Sequence, residues 1–173
     1  MAQGEAADLI VAALYNPMQK IVPCLWFGGQ AEEAAKFYVS LLPDSRIDRI
    51  LCSPTDTPSG PEGSVLTVEF TLAGQPYLGL NGGPGHPFSD AVSFQILCQN
   101  QAEIDRLWAV LSEGGEEVAC GWLTDRWGLS WQITPVRLME LINDPDRARA
   151  KRAMEAMMQM VKIDIGAIER AAG

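Results

Sequence analysis

The chain has a single histidine, His86, no CxxC pair and no long apolar run. One imidazole excludes a multi-histidine metal site within one chain, and with a Ser/His/Asp or Cys/His arrangement it leaves His86 as the only possible base. Cys24, Cys52, Cys98 and Cys120 lie far apart, each near an apolar or strand-like run, which reads as buried free thiols in a reducing compartment. No stretch approaches the roughly 18 apolar residues of a membrane span, so no membrane partner is expected. The short apolar run Leu9 to Leu14 follows Glu5 and Asp8 rather than a basic segment, which argues against a secretory signal and for a cytoplasmic protein. Positive charge is also scarce. With 13 basic against 22 acidic side chains the net charge is −9, a field that repels phosphate backbones, so nucleic acid is not an expected partner.

What is present is an ordinary globular mixture, 47% hydrophobic and 20% charged over 173 residues, enough for a self-supporting core without disulfides. Residues 1–19 read as an N-terminal extension. Ile21 to Phe27 is β-prone and stops at Gly28-Gly29, after which Ala34, Phe37, Tyr38 and Leu41 recur at helical spacing. Ser45 to Cys52, Ser64 to Leu72 and Pro76 to Asn81 read as strands. Gly82-Gly83-Pro84-Gly85 then breaks the chain.

The second half repeats the first. Ala91 to Cys98 reads as a strand, and Gln101-Ala102-Glu103 opens a helix carrying Ile104, Leu107, Trp108 and Leu111. A shift of 71 residues lays Gln30-Ala31-Glu32 on Gln101-Ala102-Glu103, Phe37 on Trp108 and Leu25 on Ile96. A shift of 54 lays Gly74 on Gly128, as a shorter connection in the second half would require. Such self-similarity is the mark of an internal duplication. Both halves thus read strand, helix, then two or three strands, an α+β pattern over 20–81 and 90–134 within 20–134. Helices follow over 135–173. One is short, around Val136 to Ile142; the next is capped by Asp146 and carries the stripe Ala153, Met154, Met157, Met158 and Val161, which predicts a packing helix.

The motifs carry a resemblance. Trp26-Phe27, Ala31-Glu32-Glu33-Ala34, Phe37-Tyr38, Leu80-Asn81-Gly82-Gly83-Pro84, Val92-Ser93-Phe94, Cys120-Gly121-Trp122-Leu123, Asp125-Arg126 and Ser130-Trp131-Gln132 occur in order between Lys20 and Lys162. They resemble the PhnB-like, 3-demethylubiquinone methyltransferase-like branch of the vicinal-oxygen-chelate superfamily, which includes glyoxalases, bleomycin-resistance proteins and dioxygenases. The resemblance implies two βαβββ modules forming a cupped, mainly antiparallel sheet, and in metal-using members the two half-sheets supply four ligands to one cation. The matching positions here fall near Pro23 and Phe94 on the first strands and at Leu78 and Gln132 on the closing strands, which implies that the metal site is absent. Gly82 to Gly85 opens no amphipathic helix, so it lacks the form of a nucleotide-binding turn and no cofactor is expected.

The expected function is thus metal-independent: a binding protein, or an enzyme of unknown reaction, holding a small, partly aromatic molecule in a cavity between the half-sheets. A metal-dependent lyase or dioxygenase is the rival reading, and an interaction protein with a filled pocket a third. The candidate ligand-binding residues are Trp26, Glu69, Asn81, His86, Trp122, Asp125, Ser130 and Gln132. Packing is an equal or better account of each one alone, and His86, in a Gly/Pro loop, reads most simply as exposed. A homodimer is expected, with the C-terminal helices burying apolar surface.

Overall fold

A computed structural model describes residues 20–173; the expectations for residues 1–19 lie outside it. The described chain divides into two compact units that meet in sequence at His86 and Pro87.

In the first unit β1 (Cys24–Phe27) leads through the Gly28-Gly29 break to α1 (Ala31–Val39), then to β2 (Arg46–Cys52), β3 (Val65–Leu72) and β4 (Gln75–Asn81). The sheet order is β1-β4-β3-β2, with β1 parallel to β4 and the other pairs antiparallel. β3 and β4 are joined by Ala73-Gly74 alone, both with positive φ, the two-residue turn whose twist suits a hairpin. β1 is shorter than expected: Pro23 has no N–H to give a ladder, and Ile21 is 84% exposed.

Alternation along the strands sets two faces. Leu25, Phe27, Val68, Phe70 and Leu72 are buried and share the face that α1 covers with Ala31, Ala34, Ala35 and Tyr38. Gly79 lets the helix approach closely, since a Cβ there would stand 3.3 Å from that of Ala31. The opposite face carries Cys24, Trp26, Glu69, Leu78 and Leu80.

The second unit repeats this plan with β5 (Ser93–Cys98), α2 (Gln101–Leu111), β6 (Glu116–Glu117), β7 (Trp122–Thr124) and β8 (Ser130–Pro135) in the order β5-β8-β7-β6, again with only the first pair parallel. Both units are thus α+β, with a helix and sheet in the same topological relation. Ile104, Leu107, Trp108 and Leu111 of α2 are buried, as are Ile96, Cys98, Leu123, Trp131 and Ile133 of the sheet.

Three helices follow: α3 (Val136–Ile142), α4 (Arg147–Met157) and α5 (Ile165–Ala172). Asp146 caps α4, accepting from the N–H groups of Ala148 and Arg149. Leu138, Leu141, Ala153, Ile163, Ile168 and Ala172 form their common core. The chain between α4 and α5 returns to the sheet, where the Cys120 and Gly121 N–H groups donate to the Met160 and Val161 carbonyls at 2.7 and 2.8 Å. No helix among the described residues is long and apolar enough to cross a membrane.

Two expectations are corrected. Cys24 and Cys52 are exposed rather than buried, because Cys24 is on the face away from α1 and Cys52 ends an edge strand; only Cys98 is fully buried. The methionine stripe divides: Met157 packs on the helical core, whereas Met154, Met158 and Val161 are 37%, 50% and 47% exposed, and Val161 lies beyond the end of α4.

Candidate functional site

In the second unit the face away from α2 is set by direct pairings of Ser93 with Ser130, Gln95 with Gln132, Trp122 with Gln132 and Thr124 with Ser130. Apart from Trp122, the side chains at these pairings are hydroxyls and amides. Gln132 donates through Nε2 to Ser93 Oγ at 2.8 Å, and Gln95 Nε2 reaches Gln132 Oε1 at 3.3 Å and Thr134 Oγ1 at 3.2 Å. A cleft of about 560 Å³ opens over the other end of this face, lined by Phe88, Asp90, Cys120, Trp122, Thr124 and Ser130 among others. Ser130 is 2% exposed, yet its hydroxyl has no hydrogen-bond partner among the described residues.

The rim of the cleft is held from two sides. Cys120 and Gly121 both have positive φ, and their amides are fixed by Met160 and Val161. A Cβ at Gly121 would come within 2.7 Å of Ile163 Cδ1, so only glycine admits the returning segment there. On the other side the loop from β7 to β8 is tied by Asp125, whose carboxylate accepts from the Trp127 and Leu129 N–H groups and from the Trp131 indole.

The eight candidate residues therefore separate. Trp122 and Ser130 meet at the cleft, and Gln132 lies beside Trp122 in the amide network. Asp125 is spent on three internal donors and does not line the cleft. In the first unit Trp26 donates to the Gly83 carbonyl at 2.8 Å, packs against Gly82 and meets the exposed His86 ring at 4.6 Å. Glu69 is paired with Arg49. Asn81 faces α1, where its Oδ1 accepts from the Ala31 N–H and its Nδ2 donates to the Val65 carbonyl, both at 2.9 Å. Phe88, Asp90, Cys120 and Thr124 are not among the residues expected at a site; alternation along β7 would have found Thr124 beside Trp122, whereas a loop position such as Asp90 leaves no periodic signal.

The positions inferred for metal ligands need a shift of one residue. Phe94 faces α2, with its ring 5.7 Å from that of Trp131, and Pro23 precedes β1. The residues paired with Leu78 and Gln132 on the open faces are Cys24 and Gln95. The first unit thus offers one thiol and a leucine, the second two amides already bonded to each other, a donor set that does not fit a tightly held transition metal. Among the described residues no group of three or more His, Cys, Asp or Glu side chains is placed to hold an ion. Nor does Gly82 to Gly85 fit a nucleotide: it follows β4 and reaches β5 with no helix between.

Residues 19–134 match the family model described as 3-demethylubiquinone-9 3-methyltransferase. The chain belongs to this family. Among solved structures it is similar to the PhnB protein of Bacillus cereus, at 35% identity over 68% of this chain and 100% of that one, with a TM-score of 0.62. Protein PA1353 of Pseudomonas aeruginosa, at 22% identity over 68% of this chain and 97% of that one, shares the fold with a TM-score of 0.56. A comparison with curated protein sequences finds no match. The family match ends at Thr134, so α3 to α5 lie beyond it.

Proposed function

We propose that this family member binds a small, partly apolar molecule in the cleft of its second unit, as a metal-independent relative of the vicinal-oxygen-chelate proteins. The observation that carries the reading is the deeply set Ser130 hydroxyl, without a hydrogen-bond partner among the described residues, which lines a cleft of about 560 Å³ together with Trp122. Apolar walls with a few convergent polar groups are the usual makeup of a small-molecule site. The repeated strand order supports the superfamily assignment, and the donor set at Cys24, Leu78, Gln95 and Gln132 speaks against the metal-dependent lyase or dioxygenase reading. Binding alone, or a reaction that needs no resident metal, fits these groups.

The test is titration with the neutral fluorescent probe N-phenyl-1-naphthylamine. Saturable binding of one probe per chain is expected, weakened about tenfold or more by Trp122→Ala, which removes the largest apolar wall. Equal binding by the variant, or no saturable binding, would show that the cleft is not the site.

A further inference from the structure

We infer that the cleft of the second unit takes a small organic cation, an amine or quaternary ammonium with an apolar or aromatic body. The inference rests on the cleft being the binding site and adds the chemical class of its occupant.

Charge in the cleft has one sign. Of its lining residues Asp90 alone is ionisable to a carboxylate, and no lysine or arginine joins it among the described residues. Asp90 is exposed and makes no ion pair or side-chain hydrogen bond there, so its charge is not already neutralised. Arg126, close in sequence to the lining residue Gly128, is drawn away: its guanidinium lies 3.7 Å from Glu113 and over the Trp127 ring at 5.6 Å. Glu116, paired across the ladder with the lining residue Thr124, sets a second acid on this face. An anion entering this cleft meets only like charge.

Aromatic surface supplies the second component. Trp122, half-buried on the open face, and Phe88 both line the cleft. An indole face attracts a cation through its quadrupole, and a quaternary ammonium loses little hydration on reaching it. A carboxylate in an open cleft contributes modestly by itself, because water screens it. Carboxylate and ring acting on one cation exceed either alone, and the Ser130 hydroxyl is left to accept from an amine N–H or to bond a polar group on the body.

The experiment is displacement of N-phenyl-1-naphthylamine from the full chain by three probes of similar size: trimethylphenylammonium, its neutral isostere tert-butylbenzene, and benzoate. The cation is expected to displace the dye at a concentration about tenfold lower than the neutral isostere, with benzoate weakest. Asp90→Asn, an exposed change that spares the sheet, should reduce that preference, read against the variant's own dye affinity, to about twofold, and added salt should act in the same direction. If the isosteres compete equally, or benzoate competes best, the inference fails while the cleft remains a binding site. If the dye does not bind at the cleft, the site reading fails and this inference with it.

Discussion

The buried carboxylate of Asp125 accepts the indole N–H of Trp131 at 2.9 Å, and the same carboxylate takes the backbone N–H groups of Trp127 and Leu129. One side chain thus fixes the loop from β7 to β8 and the orientation of a core tryptophan. Asp125→Ala strands three donors, and leaving buried donors unmade costs more than the bonds contribute net. A loss of roughly 2 to 4 kcal/mol in urea unfolding is expected. A change under about 0.5 kcal/mol would show that water replaces the carboxylate.

Asn81 plays the corresponding part in the first unit, satisfying the first N–H of α1 from a strand 50 residues away, where Gln30 provides no side-chain cap. Asn81→Ala should cost roughly 1 to 2 kcal/mol by the same measurement. Asn81→Asp keeps the acceptor for Ala31 but sets a carboxylate oxygen against the Val65 carbonyl at a site 5% exposed, so it should cost at least as much as the alanine. A smaller loss for the aspartate would show that the contact with Val65 contributes little.

Reactivity of the thiols should follow their positions. Burial, with Glu103 adding to it, pushes the Cys98 thiol up to about 12, while Cys24 and Cys52 are exposed. Iodoacetamide at pH 8 is expected to label Cys52 and, more slowly because partial burial pushes its thiol up, Cys24 in the folded protein, and Cys98 only after unfolding, read by mass spectrometry. The unfolded chain releases the Cys98 proton near 9 and the folded chain near 12. That contribution to stability is therefore complete below pH 9 and declines as pH rises toward 12, a decline that Cys98→Ala should lessen.

A homodimer is proposed on the exposed part of the methionine stripe. Met154, Met158 and Val161 present apolar surface, whereas Met157 belongs to the helical core. Sedimentation at micromolar concentration should give about twice the 18.8 kDa chain mass. Met154→Glu with Met158→Glu should yield a folded monomer, while Met157→Glu should lower stability instead. A wild-type monomer at that concentration would defeat the proposal.

The repeat could be read from sequence because its marks are local and periodic: Gly28-Gly29 and Gly74 punctuate, and Gln30-Ala31-Glu32 recurs as Gln101-Ala102-Glu103. Duplication implied that the two units share one strand order, which they do, but not which order it is. Strand parity did not follow. The ligand positions that the resemblance implies fall near Pro23 and at Phe94, one residue from the open-face Cys24 and Gln95, and in a strand one residue exchanges the two faces. α5 left a fainter trace, Asp164 ahead of Ile165, Ile168 and Ala172, and was not anticipated. The division of Trp122 and Ser130 from Asn81 and Asp125 was illegible too, because an asparagine or aspartate looks the same in sequence whether it faces a ligand or ties a loop.

The pairing of Cys120 and Gly121 with Met160 and Val161 joins residues 40 apart in the chain, with α3 and α4 synthesised between them. Such a closure carries the entropy of a long loop, so it comes after local hairpins and helices have formed. During synthesis the second sheet can pair before the segment that fixes the cleft rim has left the ribosome. A chain cut after Thr134 is therefore expected to keep its strand pairing while the amides of Cys120 and Gly121 exchange their protons rapidly.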